Sequence, residues 1–195
     1  MDLIVRLARA GSKIDLIAVT RGEASHPRSR KCSPLQIAKM RQLERADALT
    51  ALSLGNVRIV ELGLPDGHVA DVSELVDRLT PLVRGATYCV APWSHDGHPD
   101  HDASGVAAAL ACEKTDTHLV EYLIWGWHWA APKTADFPWY RIRKVSLRED
   151  EHAAKMRAIA AYQSQIKPLA PDEPEVILPP RILERFQRTF EVVLA

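Results

Sequence analysis

The sequence predicts a mixed α/β fold built around a mostly parallel β-sheet. Short apolar stretches alternate with amphipathic stretches at helical spacing through residues 14–112, in the order strand, helix, strand, helix, strand, helix. This order is typical of βαβ units, whose right-handed crossovers bring the carboxyl ends of the strands to one edge. The length fits a single domain over 1–195, because no repeat, low-complexity tract or linker divides the chain.

The first elements are short. An amphipathic helix over residues 1–10 ends at Gly11, a residue type that often follows the last helical turn. Residues 14–19 and 57–62 are apolar runs bounded by polar or glycine residues, and each predicts a strand.

The helix between these two strands has a clear start signal. In residues 33–36, Ser33 can cap the helix, a proline occupies its first position, and Gln36 can complete a capping box. We expect this helix to reach about Leu54, with four residues facing inward: Leu35, Ala38, Ala46 and Leu49.

The middle of the chain repeats the pattern. We predict a helix over 71–84, disturbed by Pro81, then a buried strand over 87–91 and a helix over 102–112. Three loops follow the three strands and should meet at one edge of the sheet, where ligands of open α/β sheets bind. These loops are residues 20–26, 65–68 and 93–101.

The last third is less regular. Residues 118–129 and 139–145 are predicted strands, and 149–163 is a predicted helix. After a proline-rich run, 182–190 is predicted as a helix and 190–194 as a final strand. On the predicted strand over 118–129, three tryptophans would share one face: Trp125, Trp127 and Trp129. Such a face suits either core packing or stacking on a sugar ring.

Composition excludes several classes of function. The 25 basic and 25 acidic side chains balance, so there is no overall field to attract nucleic acid. Three cysteines without a Cys-x-x-Cys pair fit a reducing compartment, and we predict a cytoplasmic protein. The first ten residues lack the features of a signal peptide, and no window holds the ~20 apolar residues of a membrane span.

The densest group of chemically active side chains lies in residues 93–102, with three histidines and three aspartates. Among them His98, His101 and Asp96 could serve a metal or a substrate, because imidazole nitrogens and carboxylate oxygens are zinc ligands. A catalytic zinc needs about three protein ligands, so this loop alone supplies only part of a site. The alternative is that the aspartates cap the next helix and the loop is polar for structural reasons.

Four further residues are candidates for substrate binding. Asp66, beside Gly67 at a strand end, could bind sugar hydroxyls or could simply belong to a turn. Arg21 and Glu23 could line the same pocket. Arg41 could do so too, although with Glu44 it could equally form an ordinary surface ion pair one turn apart.

These motifs together resemble the PIG-L/LmbE-like zinc-dependent N-acetylglucosaminyl deacetylases, which include the GlcNAc-phosphatidylinositol de-N-acetylases. The resemblance covers most of the chain, and the order of Asp66 and the His-Pro-Asp-His box at 98–101 is its most specific part. The other matching positions are Thr20 to Glu23, Arg41 with Glu44, Leu49 to Gly55, Leu62 to Gly67, Lys155, Tyr162, Ser164 and Gln165.

The resemblance implies a Rossmann-like three-layer sandwich that hydrolyses the N-acetyl amide of an amino sugar. It implies that His101 ligates zinc and that His98 acts as a catalytic acid or stabilises the oxyanion. It implies as substrate an N-acetylated amino sugar or glycoconjugate, while the composition described above predicts no nucleic-acid partner and no membrane span. A homo-oligomer is left open.

One family motif is absent. The family's His-Pro-Asp-Asp motif, which brings two zinc ligands and the general base, has no counterpart, since the only other His-Pro pair is His26-Pro27. We therefore expect an N-terminally truncated domain that lacks its first strand, and little tightly bound zinc. A catalytically dead carbohydrate-binding or interaction module on the same fold is the main alternative, and another metal-assisted hydrolase such as a phosphoesterase is a third.

Overall fold

The computed structural model describes residues 2–69, 74–131, 134 and 137–195. Its helices are α1 (Asp2–Arg9), α2 (Pro34–Ala51), α3 (Leu75–Val83), α4 (Pro99–Thr115), α5 (Gly126–Trp129), α6 (Glu149–Ala161), α7 (Gln163–Ile166) and α8 (Pro180–Phe186). Its strands are β1 (Asp15–Ala18), β2 (Arg58–Glu61), β3 (Tyr88–Pro92), β4 (His118–Tyr122), β5 (Ile142–Ser146) and β6 (Phe190–Leu194).

The chain divides into two compact units. Unit 1 consists of Met1–Asp66 and Ser146–Glu191, and unit 2 of Gly67–Val145 and Val192–Ala195. Among the described residues, no helix has the length and apolar character needed to cross a membrane.

Unit 1 contains one βαβ motif. Strands β1 and β2 pair in parallel, with Asp15 opposite Arg58 and Ala18 opposite Glu61, and α2 connects them. Helices α2 and α6 pack together around a core that also takes one residue from α1. The buried residues of this core are Val5, Ala48, Leu49, Leu52, Leu54, Ala154 and Ala158.

Helix α2 begins as its sequence predicts. Ser33 Oγ accepts the Gln36 N–H and the Gln36 side chain accepts the Ser33 N–H, which completes the capping box. The inward residues were only partly predicted, because Leu35 is 76% exposed and Ala46 is exposed too. Each lies two residues, or about 200° around the helix, from the buried Ile37 and Ala48 respectively.

Unit 2 contains a second parallel pair. Strand β3 pairs with β4, with Tyr88 opposite His118 and Pro92 opposite Tyr122, and α4 connects them. Strand β4 also pairs antiparallel with β6, in a sheet of order β3-β4-β6-β5. The buried centre holds Trp93, Leu123, Phe137 and Leu194, and α3 packs against α4. Two parallel βαβ motifs confirm the mixed α/β fold with parallel strand pairs, although β4 and β6 pair antiparallel.

The long strand predicted over 118–129 is wrong. Strand β4 ends at Tyr122, and residues 126–129 form the short helix α5. The backbone N–H groups of Ile124, Trp125 and Gly126 all donate to the carboxylate of Asp96, so they cannot belong to a strand ladder. The three tryptophans therefore do not share the face of a strand.

The remaining C-terminal elements follow the sequence with small shifts. The predicted strand over 139–145 begins as a 3₁₀ turn over Trp139–Arg141, and the predicted helix over 149–163 breaks at Tyr162 into α6 and α7. Helix α8 starts and stops earlier than predicted, and β6 lies where a final strand was expected. The predicted start of α3 lies outside the described residues.

Candidate active site

His98 caps the N-terminus of α4. Its extended backbone precedes Pro99, which suits the first helical position, and its Nδ1 accepts the N–H of Asp100 at 3.2 Å. A ring nitrogen that accepts a hydrogen bond carries no proton, so the neutral imidazole holds its proton on Nε2. His98 can therefore offer an N–H donor from Nε2.

His101 lies one turn further along α4 and is oriented by Asp96. The two residues are joined through His101 Nδ1 and Asp96 Oδ2 at 2.6 Å, and Asp96 is fully buried. An ionised carboxylate only accepts hydrogen bonds, so Nδ1 carries the proton. In the neutral ring Nε2 then keeps its lone pair, which is the form that binds a metal or takes up a proton.

The Asp96 carboxylate stays ionised although it is buried. Burial alone would raise its pKa, but hydrogen bonds from His101 and from three backbone N–H groups outweigh burial and lower the pKa of Asp96. Oδ1 accepts from Ile124 at 2.9 Å and Gly126 at 2.8 Å, and Oδ2 accepts from Trp125 at 2.6 Å. Both oxygens are thus occupied, and Asp96 positions His101 and the start of α5.

The two histidines predicted to act together lie side by side. Their rings stack with centroids 4.5 Å apart, and the edge of Trp125 meets His98 at 5.7 Å. This arrangement follows from their spacing of three residues, since residues three apart on a helix are neighbours. The structure therefore brings His98, His101 and Asp96 into one group.

Asp100, the third member of the His-Pro-Asp-His box, serves the backbone. It is buried, and its two oxygens accept the N–H groups of Gly67 at 2.7 Å and Val69 at 3.0 Å. Asp102 accepts the N–H of Gly97 at 3.0 Å. The alternative that these two aspartates cap α4 is wrong, because His98 is its N-cap residue, but both aspartates do bind loop backbone.

A second group of candidate residues assembles within unit 1. Asp66 accepts from Thr20 Oγ1 at 2.8 Å and from the Ala24 N–H at 2.9 Å, while its own N–H donates to Glu23 Oε1 at 3.0 Å. Glu23 Oε2 is buried and makes no hydrogen bond to the described residues. Asp66 and Glu23 thus fasten two strand-end loops together, and Glu23 keeps one unused acceptor.

Arg41 and Glu44 do not form a plain surface ion pair. Their side chains are 22% and 8% exposed, and their nearest charged atoms are 3.8 Å apart. Glu44 is engaged elsewhere, since it accepts the N–H of Ser164 at 2.6 Å and its hydroxyl at 2.7 Å. Burial lowers the pKa of Arg41, and its guanidinium lies over the Tyr162 ring at 5.8 Å. With its amide oxygen turned towards Arg41, Gln165 accepts from the guanidinium at 2.6 Å.

Arg21 is the most exposed of the candidates. Its guanidinium lies 3.5 Å from Glu61, a long contact for an ion pair. Arg21 and Glu23 both line a pocket of about 250 Å³ in unit 1, whose other lining residues are Pro34, Leu35, Ala38, Gly63 and Leu64. Asp66 and Arg41 are not among its lining residues, so binding of substrate by Arg21 and Glu23 stays a prediction.

Sequence reasoning assigned no role to His26. Its Nδ1 pairs with Ser25 Oγ at 3.0 Å, while Nε2 is buried without a hydrogen-bond partner among the described residues. Burial is the largest cause that lowers the pKa of His26. The only signal in the sequence was a histidine in the loop after β1, which alone does not distinguish a site from a surface turn.

The described residues do not fit a complete zinc site. None of their histidine, cysteine, aspartate and glutamate side chains come together in groups of three or more that could hold a metal ion. Within the histidine loop, both oxygens of Asp96 already accept N–H groups. Thr20, Glu23 and Asp66 belong to unit 1 and the two histidines to unit 2. That the two groups share one pocket stays a prediction.

A comparison with protein families decides the assignment. The family model described as PIG-L: GlcNAc-PI de-N-acetylase matches residues 1–112, which is more than half of the chain. The chain belongs to this family. The matched part of the PIG-L domain includes every candidate site residue discussed above up to His101, and the resemblance predicted from the sequence is confirmed.

Solved structures share the PIG-L fold. The conserved protein TT1542 from Thermus thermophilus is 22% identical with a TM-score of 0.66, over 99% of this chain and 86% of that one. The zinc-inhibited form of teicoplanin deacetylase Orf2 is 17% identical with a TM-score of 0.62, over 83% and 77% of the two chains.

A third structure aligns over a shorter stretch. N,N'-diacetylchitobiose deacetylase from Pyrococcus horikoshii is 22% identical with a TM-score of 0.51, over 57% of this chain and 42% of that chain. At these identities the likeness concerns the fold. A comparison with curated proteins finds no match.

Proposed function

We propose that this PIG-L family protein is a deacetylase that hydrolyses the N-acetyl amide of an amino sugar and releases acetate. The observation that carries the proposal is the stacked pair of His98 and His101, with its hydrogen-bond partners, in a chain of the GlcNAc-PI de-N-acetylase family. A buried aspartate holds one of these rings and a helix N-terminus holds the other. Both imidazoles are therefore fixed before a substrate arrives, as electrostatic catalysis requires.

His98 is the proposed catalytic donor. Because its Nδ1 accepts the N–H of Asp100, the neutral ring carries its proton on Nε2, and this N–H is the proposed donor to the oxygen of the acetyl carbonyl. Negative charge grows on this oxygen when the amide carbon is attacked, and a placed donor stabilises that charge.

His101 is the proposed metal ligand, with zinc as the metal. Its orientation supports this role, because a ligating histidine usually donates its other N–H to a carboxylate, as His101 does to Asp96. Zinc would supply Lewis-acid activation of the amide and of water. Since the described residues do not complete a zinc site, no step of the reaction is assigned to the metal.

Four residues of unit 1 are the proposed substrate ligands. Arg21 and Glu23 line a pocket. Asp66 lies in the loop after β2. The carboxylate nearest to the Arg41 guanidinium, that of Glu44, is hydrogen-bonded to Ser164. Hydroxyl and acetamido groups of a sugar offer matching donors and acceptors. Asp96, grouped with these residues from the sequence, is proposed instead to position His101.

The wider setting is also a proposal. We propose one functional domain over 1–195 that acts in the cytoplasm on an N-acetylated amino sugar or glycoconjugate, with a homo-oligomer left open. Cys32, Cys89 and Cys112 are all free, which suits a reducing compartment.

A carbohydrate-binding module without hydrolysis is the second candidate. It is favoured by the lack, within the described residues, of a group that could hold a metal. Such a module would keep the substrate contacts of unit 1 and bind the acetylated sugar without releasing acetate.

Acetate release separates the two candidates. The purified chain, with and without added zinc, is incubated with N-acetylglucosamine and N,N'-diacetylchitobiose, and acetate and free amine are quantified. Replacing His98 with alanine removes the proposed oxyanion donor and should lower the rate by about 10²- to 10³-fold. Replacing His101 with alanine should abolish activity together with any zinc dependence.

His118 provides the matched control. It is an exposed histidine on β4, and its replacement with alanine should leave the rate unchanged. Binding of the sugars without acetate release would overturn the deacetylase proposal in favour of the binding module. Equal rates in the His98 variant and the control would remove His98 from the mechanism.

A further inference from the structure

An aromatic face in unit 2 is more exposed than core packing requires. We define it by Trp129 and Trp139, which are 40% and 44% exposed, and by the buried Phe137 between them. Phe137 meets Trp139 at 4.6 Å and Trp129 at 6.4 Å between ring centroids. The result is a continuous row of rings with an indole open to solvent at each end.

Trp129 is held rigidly despite its exposure. Its Nε1–H donates to the backbone carbonyl of Asp96 at 2.8 Å. Its ring stacks on the buried Trp93 with centroids 6.0 Å apart and meets the edge of Phe137. One side of the indole therefore packs on the core, and the exposed part is kept in a fixed orientation. A side chain that merely tolerates water would not need this anchoring.

The anchor connects the aromatic face to the histidine pair. Asp96 holds Trp129 through its carbonyl and His101 through its carboxylate. Gly97, between Asp96 and His98 in the chain, has φ +89°, and a Cβ built there would lie only 2.9 Å from Trp129 Nε1. The indole thus lies against the backbone immediately before His98, where only glycine leaves room for it.

We infer that Trp129 and Trp139 form a stacking subsite for a second sugar ring, joined to the acetylated ring whose amide meets His98. A pyranose presents a face of C–H groups that an exposed aromatic ring can cover, and a rigid ring loses little entropy when it does so. A protein partner would need a far larger apolar area than this short row offers. The inference rests on the proposed function and narrows its substrate class to disaccharides and longer glycans.

Affinity for one ring is compared with affinity for two. N-acetylglucosamine and N,N'-diacetylchitobiose are titrated into the protein by calorimetry, and the ratio of their Kd values is the readout. The disaccharide should bind about tenfold more tightly, which corresponds to about 1.4 kcal/mol. Replacement of Trp129 with alanine should bring the ratio close to one, replacement of Trp139 should lower it partly, and Trp129→Phe should retain most of it.

Tyr88 serves as control, since it is an exposed aromatic residue, 52% accessible, on β3. Tyr88→Ala should keep the tenfold ratio. The ratio of Kd values also separates stacking from a structural effect. If loss of the hydrogen bond from Trp129 to the Asp96 carbonyl disturbed the site, the affinities for both sugars would fall equally. Circular dichroism checks that each variant is folded.

The outcomes distinguish this inference from the proposed function. If the wild type binds the disaccharide more tightly and Trp129→Ala abolishes this preference, the result supports the subsite even if no acetate is released. Equal affinities for the two sugars in the wild type, or a ratio unchanged in Trp129→Ala, overturn the subsite even if deacetylation is observed. If Tyr88→Ala lowers the ratio of Kd values as Trp129→Ala does, the subsite is overturned as well.

Discussion

Replacing Asp96 with asparagine tests the central hydrogen-bond arrangement of the histidine loop. Each Asp96 oxygen accepts two N–H groups, from Ile124 and Gly126 on Oδ1 and from Trp125 and His101 on Oδ2. An asparagine keeps one oxygen and replaces the other with an NH₂ group, which accepts nothing. At least one buried backbone N–H must therefore lose its partner in any orientation of the amide.

The orientation of lower free energy places the amide nitrogen towards His101. There His101 can change tautomer, accept the amide N–H on Nδ1, and carry its own proton on Nε2. The Trp125 N–H remains unsatisfied, and a lost hydrogen bond to a charged acceptor costs about 1.5–3 kcal/mol. We expect the free energy of unfolding to fall by about 2 kcal/mol. We also expect activity to fall by about 10⁴-fold, as for other histidines held in the wrong tautomer.

Urea unfolding followed by tryptophan fluorescence measures the stability change, and ¹⁵N chemical shifts of the His101 ring report its tautomer. Asp102→Asn is the matched control, because Asp102 accepts one N–H, from Gly97, which an asparagine oxygen can also accept. That control should change stability by less than about 0.5 kcal/mol. An Asp96→Asn protein with wild-type stability and an unchanged His101 tautomer would refute the reasoning.

Three further predictions concern stability and thiol reactivity. Gly105→Ala should lower the free energy of unfolding in urea by about 2 kcal/mol, because the new Cβ would lie 2.6 Å from the Pro92 carbonyl oxygen. The clash outweighs the higher helix propensity of alanine. Gly55→Ala, at an uncrowded position, is the control and should be nearly neutral. Hydrogen bonds from Arg6 hold the pKa of Glu151 at about 2, so stability should decline as pH falls from about 4.5 towards 2, and Glu151→Gln should flatten that decline. Burial raises the pKa of Cys89 to about 12, so iodoacetamide at pH 8 should label it only after unfolding, as mass spectrometry can show.

Features of the fold that depend on neighbouring residues were predictable from the sequence. The capping box of Ser33 and Gln36 is present, and Gly11 has φ +86° after α1, as a residue following a helix often does. The stacking of His98 and His101 follows from their helical spacing. In each case the decisive interactions span only a few residues.

Features that depend on distant residues were not predictable in this way. The tryptophan-rich segment reads as a strand, yet Asp96, about thirty residues earlier, captures its N–H groups and starts α5. Arg41 and Glu44 look like a surface pair until Ser164 engages Glu44 across 120 residues. Only the tertiary structure brings these partners together, and no local pattern encodes them.

The make-up of unit 1 has a consequence for how the protein folds during synthesis. Nearly all of unit 2 is one continuous stretch of chain, whereas unit 1 joins residues from both ends. The carboxylate of Glu44 and the α6 side of the core must wait for residues near Ser164 to leave the ribosome. Until then the apolar side of α2 has no permanent cover, and contacts so distant in sequence form slowly. A chain that lacks the residues around α6 and Ser164 would thus expose the apolar side of α2, a surface prone to aggregation.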